Sequence, residues 1–277
     1  MTPLVAAAQR RQLRSDAARK LANVTIRIVS IGDSFTEGMN DYLPDGTEVG
    51  WADRVAVGLA AAHPHEAVWY ANLAVRGRKI ESIVTEQLDA ALALEPTPTH
   101  LTFNGGGNDM LRPGFSDERM VAFTSRVLDR CAEKGVYVVI LTGADPTDGL
   151  PAGKRMRRLG TRLTQGIEHL IEGRDGVTFV DNLHAPEGRT EAFWSEDRLH
   201  LSSLGHEWIA SRVLTAMGVP TPGPDTTDAD TPRGGLVGEV RYWGLYVAPW
   251  IGRRILGRSS GDGRSPKFPA WTRVPGA

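Results

Sequence analysis

Five residues in this 277-residue chain have the types and neighbours that acyl transfer requires: Ser34, Gly77, Asn108, Asp197 and His200. Breaking an ester calls for an oxygen nucleophile, a base to take its proton, and donors for the oxyanion that develops on the carbonyl. Ser34, in Gly32-Asp33-Ser34, supplies the hydroxyl. His200 can take the proton and return it to the leaving alcohol. Asp197, three residues earlier, can accept from the second imidazole nitrogen and fix the tautomer. The backbone N–H groups of Ser34 and Gly77, with the side-chain amide of Asn108, can form an oxyanion hole. Each residue taken singly has an ordinary role: Asp33 and Ser34 as a helix cap, Asn108 as a turn residue at positive φ, His200 as a surface histidine, Asp197 as a solvated carboxylate. Asp33 is expected to cap the segment after Ser34, and Asp109 to brace its loop.

The elements that must carry these residues follow from hydrophobic patterning. Apolar runs at 24–31, 68–73, 99–103, 136–141 and 177–180 read as strands. Helical spacing of apolar residues lies between them: Ile80, Ile83, Val84, Leu88 and Leu92; Met120, Phe123, Val127, Leu128 and Cys131; Met156, Leu159, Leu163, Ile167 and Leu170. A helix from Trp51 stops before Pro64, Ser116 caps the helix that carries Met120 to Cys131, Ser203 opens the last, and residues 4–21 form one more ahead of the first strand. Five strands alternating with helices imply a parallel sheet covered on both faces. Parallel strands end on one edge, where open α/β sheets bind ligands. Ser34, the segment Asn72–Gly77, the segment Gly107–Asp109 and Asp197–His200 each follow a strand and so meet on that edge.

These four blocks, in this order, resemble the SGNH (GDSL-type) hydrolase family. Gly32-Asp33-Ser34 is similar to its nucleophile block, with Phe35 in place of leucine; Asn72–Gly77, Gly105–Asp109 and Asp197-x-x-His200 are similar to the other three. The likeness spans about residues 24–217. It implies a three-layer α/β/α, flavodoxin-like sandwich and hydrolysis of carboxylic esters through an acyl-serine intermediate. The same acyl-enzyme serves thioesterases, lysophospholipases and acyltransferases, so a short-to-medium acyl ester, a lipid or an acylated sugar all fit as substrate. The segments 40–50, 110–115 and 142–153 are expected as pocket walls; Arg76 and Arg112 are read as arginines solvated or paired on the surface, with steering of an acidic substrate as the alternative.

Composition narrows the class. An apolar share of 41 % and a charged share of 23 % suit a chain that buries a core, and a net charge of −1 gives no case for nucleic acid. One cysteine, Cys131, excludes an internal disulfide framework; it is read as a small buried side chain. The histidines show no ligand spacing, so no metal or cofactor is expected. Neither a signal sequence nor an apolar run long enough to span a membrane stands in the chain, and the expected address is cytoplasmic. The organisation is then a hydrolase domain at 1–219, a Pro/Gly-rich linker at 220–235 and a C-terminal extension at 236–277. Residues 233–277 hold seven Arg and one Lys against two acidic residues. This basic, aromatic extension is expected to fold back over the domain, with a peripheral membrane or oligomer contact as the alternative. A non-catalytic protein working through that extension is the competing reading from another class.

Overall fold

The structure, a computed structural model, describes residues 25–146, 153–227, 245 and 260–276. Six strands form one sheet: β1 (Ile26–Ile31), β2 (Val68–Asn72), β3 (His100–Phe103), β4 (Tyr137–Leu141), β5 (Val177–Val180) and β6 (Phe268–Arg273). Their order is β5-β4-β3-β1-β2-β6. The first five are parallel, with Ile28 opposite both Tyr70 and His100. The expected three-layer α/β/α architecture is present.

One point is corrected. The sheet has six strands rather than five and is mixed, because β6 pairs antiparallel with β2. Its sequence, Phe-Pro-Ala-Trp-Thr-Arg, carries a proline and no alternation, which hides it from a search for strands. Pro269 is tolerable because β6 is an edge strand, where an absent N–H need not break a ladder. The extension thus folds back in its last stretch: Val274 is buried, and the Phe268 ring lies 5.7 Å from that of Tyr70. The expected helix at 4–21 and most of the aromatic stretch at 241–250 lie outside the described residues.

Two apolar cores flank the sheet. Helices α1 (Ser34–Glu37) and α2 (Trp51–Ala62) lead to β2. Trp51, Val55 and Leu59 of α2 pack with Trp208, Ile209 and Val213 of the last helix, 203–216, on one face. On the other face, Ile80, Ile83, Val84 and Leu88 share a core with Met120, Val127 and Leu163. There the run 80–92 is helical with one π turn, Ile83–Gln87. Cys131 is buried in the same core, and burial pushes its thiol up to about 12, so it is a packing atom.

Chain order reverses at β1: β2 lies on one side of it and β3 on the other. This is the switch point of an open α/β sheet, and the crevice it opens lies beyond the carboxyl ends of β1 and β3. Ser34 follows β1 and Asn108 follows β3. No helix among the described residues is long and apolar enough to cross a membrane.

Candidate active site

At the carboxyl end of β1, Asp33 caps the short helix α1, its Oδ1 accepting from the Phe35 N–H at 3.1 Å. Ser34 is the first residue of that helix, and no helical carbonyl can reach a first-turn amide. Its Oγ lies 3.0 Å from His200 Nε2. His200 Nδ1 lies 2.6 Å from Asp197 Oδ2. The three side chains are therefore in one hydrogen-bonded line, across a sequence separation of 166 residues.

The Asp197 carboxylate is held from several sides. Oδ1 accepts the N–H groups of Leu199 (3.0 Å) and His200 (2.8 Å) and the Ser195 hydroxyl (2.8 Å). Oδ2 accepts from Asn40 Nδ2 at 3.0 Å as well as from His200. Burial alone pushes this carboxyl up, but the bonds from His200 and Leu199, with the imidazole's charge, outweigh burial and hold it well below the usual range. A fixed negative charge on the far side of the imidazole favours the Nδ1–H tautomer, which leaves Nε2 free to accept from Ser34.

The loop after β2 brings Gly77 alongside. Val75 donates its N–H to the Gly32 carbonyl at 3.3 Å, and Asn72 bridges the blocks by donating to the Thr36 carbonyl and accepting from Ala74. Gly77 has φ +75°, a left-handed conformation that favours glycine. Among the described residues no acceptor meets its N–H.

Asn108 is arranged differently from the other two oxyanion candidates. Its Nδ2 donates to Asp33 Oδ2 (3.0 Å) and to the Arg78 carbonyl (3.1 Å), so both amide hydrogens are engaged. Two facing acceptors require the nitrogen, not the oxygen, on that side. Burial pushes Asp33 up to about 6; the Phe35 N–H, His200 and Asn108 oppose it, and Asp109 adds to it. Asp109 Oδ2 accepts from the Ile80 N–H at 3.0 Å and so braces the loop to the helical run.

Several residues of the site carry no sequence motif. Asn40, at φ +73°, spans Ser195 and Asp197 from one amide nitrogen. Gln87 clamps both backbone groups of Gly32, accepting its N–H at 2.8 Å and donating to its carbonyl at 3.0 Å. It reaches them from the π turn, a distortion often found beside functional sites. His206 accepts from the Trp51 N–H through Nδ1 and donates to the Met39 carbonyl through Nε2. The helix that holds it begins at Ser203, as expected, and Ser202 caps it, accepting from the Gly205 N–H.

Arg76 is not a substrate-facing arginine. It is buried, with Nε and Nη2 on Glu37 and Nη2 on Glu48, and its N–H donates to Glu37 Oε2 at 2.5 Å. Arg112 is partly buried and its Nε meets no acceptor among the described residues. Of the expected walls, 40–50 reaches the site through Asn40, and residues 147–152 lie outside the described residues.

Comparison with known proteins agrees with this fold. The model of the GDSL-like lipase/acylhydrolase family matches residues 30–208, more than half of the chain. A search of curated proteins gives no match. Among solved structures, the acetylxylan esterase Axe2 from Geobacillus stearothermophilus is similar with a TM-score of 0.53 and 18 % identity, covering 70 % of this chain and 94 % of its own. The psychrotrophic esterase EstA from Pseudoalteromonas sp. gives 0.51 and 17 %, covering 69 % and 96 %. TesA gives 0.54 and 17 %, covering 69 % and 97 %. At such identities the likeness speaks for the fold.

Proposed function

The chain belongs to the GDSL-like lipase/acylhydrolase family and is a carboxylic ester hydrolase, and from that premise we propose that Ser34, His200 and Asp197 are its catalytic triad. The observation that carries this is the line Ser34 Oγ, His200 Nε2, His200 Nδ1, Asp197 Oδ2, with gaps of 3.0 Å and 2.6 Å, placed at the switch point of the sheet.

In this mechanism Ser34 Oγ attacks the ester carbonyl carbon as His200 Nε2 takes its proton. Asp197 holds the resulting imidazolium. The oxyanion sits against the N–H groups of Ser34 and Gly77, and losing one such donor costs about 3–4 kcal/mol in the barrier. Asn108 is the third donor: it gives one hydrogen to the oxyanion in exchange for the Arg78 carbonyl, while Asp33 keeps the other. The C–O bond to the alcohol then breaks, the alcohol leaves with the proton from His200, and Ser34 remains acylated. Water repeats the sequence: His200 takes its proton, its oxygen joins the acyl carbon, and Ser34 leaves with the proton.

The substrate is an ester with a short-to-medium acyl group, and the same acyl-enzyme serves transfer when an alcohol or thiol replaces water. Turnover of aryl esters from acetyl to dodecanoyl, by wild type and Ser34→Ala side by side, tests the reading. Activity confined to the wild type is expected, with the optimum chain length bounding the pocket. Equal activity in Ser34→Ala would overturn the assignment. Added short alcohols would raise total turnover and yield a new ester if transfer competes with hydrolysis.

A further inference from the structure

The proposed site leaves unexplained why the C-terminal segment, which lies outside the family match, returns to the edge of the sheet. The descent of residues 260–268 is specific. Gly261 is buried, and a Cβ placed on it would drive into the carbonyl oxygen of Arg76 and come within 3.1 Å of Val75 Cγ1. Its φ lies outside the left-handed region, so close approach to Arg76 is what demands glycine there. Six residues on, Lys267 spends all three ammonium hydrogens inside the fold: on the Glu37 carbonyl (2.8 Å), the Glu48 carbonyl (3.2 Å) and Asp53 Oδ2 (2.7 Å). The Arg264 guanidinium stands 3.8 Å from Glu37 Oε1.

These contacts converge on two pieces of the site. Glu37 ends the four-residue helix that Ser34 begins, and its carboxylate holds the N–H of Arg76. The carbonyl of Arg76 and the N–H of Gly77 belong to one peptide unit. That unit is trans, so its carbonyl and N–H point in opposite directions. A backbone pressed against the carbonyl from behind therefore sets where the N–H aims.

We infer that residues 260–268 are a positioning element of the esterase: Gly261 backs the 76–77 peptide and so aims the Gly77 N–H at the oxyanion, while Lys267 ties the end of the nucleophile helix to the loop and helix beside it. The inference rests on the triad and oxyanion reading above. It makes the extension part of the catalytic unit in its final stretch, instead of an appendage with a separate task.

The full-length chain tests this with Gly261→Ala, Lys267→Met, Trp271→Ala and Ser34→Ala. Trp271 lies further along the chain, in β6, and donates from Nε1 to the Pro96 carbonyl, away from both site segments. Three quantities are read: kcat and KM on an aryl ester, affinity for a phenylboronic acid that adds to the serine as a tetrahedral adduct, and Tm. Gly261→Ala is expected to lower kcat at least ~10-fold and to weaken the boronic acid in parallel, because a misaimed amide loses part of what an oxyanion donor supplies. KM changes less than ~3-fold, since ground-state binding does not use that donor fully. Lys267→Met lowers kcat in the same sense. Trp271→Ala lowers Tm and leaves kcat. A kcat for Gly261→Ala within ~3-fold of wild type, or equal kcat losses in Gly261→Ala and Trp271→Ala at equal Tm, would overturn the inference while leaving the triad standing. Should Gly261→Ala fail to fold, an unchanged kcat in Lys267→Met overturns it. If Ser34→Ala keeps wild-type turnover, the triad itself falls and this inference with it.

Discussion

Replacing Asp197 by asparagine is the sharpest probe of the site, because the structure dictates which way the new amide must turn. Three donors converge on Oδ1: the N–H groups of Leu199 and His200 and the Ser195 hydroxyl. The single oxygen of the asparagine amide takes that place. Its NH₂ then replaces Oδ2, facing His200 Nδ1 and Asn40 Nδ2. A donor opposite Nδ1 makes that nitrogen the acceptor, so the proton moves to Nε2. Nε2–H then faces Ser34 Oγ as a donor and cannot take its proton. The reversed tautomer is expected to lower kcat by about four orders of magnitude, about 5 kcal/mol at 1.36 kcal/mol per tenfold. The fold is spared, because the backbone groups at 199 and 200 keep their acceptor. Asp197→Ala removes that acceptor too and so loses stability as well as rate. Single-turnover acylation with an activated aryl ester, alongside thermal melting, separates the two effects. A Asp197→Asn variant with unchanged Tm and kcat reduced less than ~10-fold would refute the claim that Asp197 sets the histidine's tautomer.

Further outcomes follow from the supporting residues. Asn40→Gly keeps the left-handed backbone but deletes one hydrogen bond to an ionised carboxylate, about 1.5–3 kcal/mol, and is expected to lower kcat roughly tenfold. Asn40→Ala adds about 1–2 kcal/mol of backbone strain, so a urea titration should place it below Asn40→Gly. Gln87→Leu leaves the Gly32 N–H buried without a partner and the Gly32 carbonyl with the Val75 N–H alone, and should cost about 1–3 kcal/mol of unfolding free energy; a loss under about 0.5 kcal/mol would show that water replaces the clamp. His206 is held neutral by burial, its pKa lowered from 6.5 to about 4, against which the Met39 carbonyl works. A depressed histidine pKa means that the unfolded chain takes up the proton first, so this stability is present above pH 6.5 and is lost as pH falls toward 4. The loss attributable to His206 is about 2 kcal/mol between pH 7 and pH 5. Urea midpoints at those two pH values should differ less in His206→Gln than in wild type, and equal differences would remove His206 from the account.

β4 was legible because Tyr137–Leu141 is a nearly unbroken apolar run buried at four of its five positions, and the other parallel strands because short runs rich in β-branched and aromatic residues alternate with helical spacing. The observed bounds differ by a residue or two at the ends, where fraying makes the pattern indifferent. β6 was not legible: only its partly buried Phe268 and Trp271 pack inward, and the rest of the strand faces solvent as an edge may. The three residues of the hydrogen-bonded line were legible from type and order. Their support was not, since Asn40, Gln87 and His206 act over separations of 55 to 167 residues and carry no local signature. One faint signal existed. Gln87 falls between Val84 and Leu88 on an otherwise apolar stripe, and a buried amide there requires partners. Arg76 is paired, as its plainer reading has it, but buried rather than at the surface, because its partners Glu37 and Glu48 come from another block.

The proposed triad can be compared with a second Asp-x-x-His turn within this one chain. Asp181-Asn182-Leu183-His184 repeats the spacing of Asp197-Arg198-Leu199-His200. It also repeats the geometry: Asp181 Oδ1 accepts the N–H groups of Leu183 (3.1 Å) and His184 (3.2 Å), and Oδ2 lies 2.7 Å from His184 Nδ1. His184 Nε2 even meets a hydroxyl, Thr161 Oγ1, at 3.1 Å. The Asp-x-x-His turn is therefore a local structure that forms wherever the carboxylate caps its own following amides. Chemistry depends on what lies opposite Nε2. Thr161 is in the middle of the helix Gly153–Ile171, so its own N–H is already bonded to a carbonyl one turn back. An oxyanion formed there would find no amide. Ser34 begins its helix, at the end of β1, where among the described residues no acceptor meets its N–H, and Val75 ties the loop that holds Gly77 to Gly32. The imidazole at 184 is also the more exposed, with 45 % of its side-chain surface accessible against 16 % at 200, so water competes for its proton. The proposed site thus rests on the reversal of strand order at β1, which brings a helix-start amide to a turn that the chain builds twice.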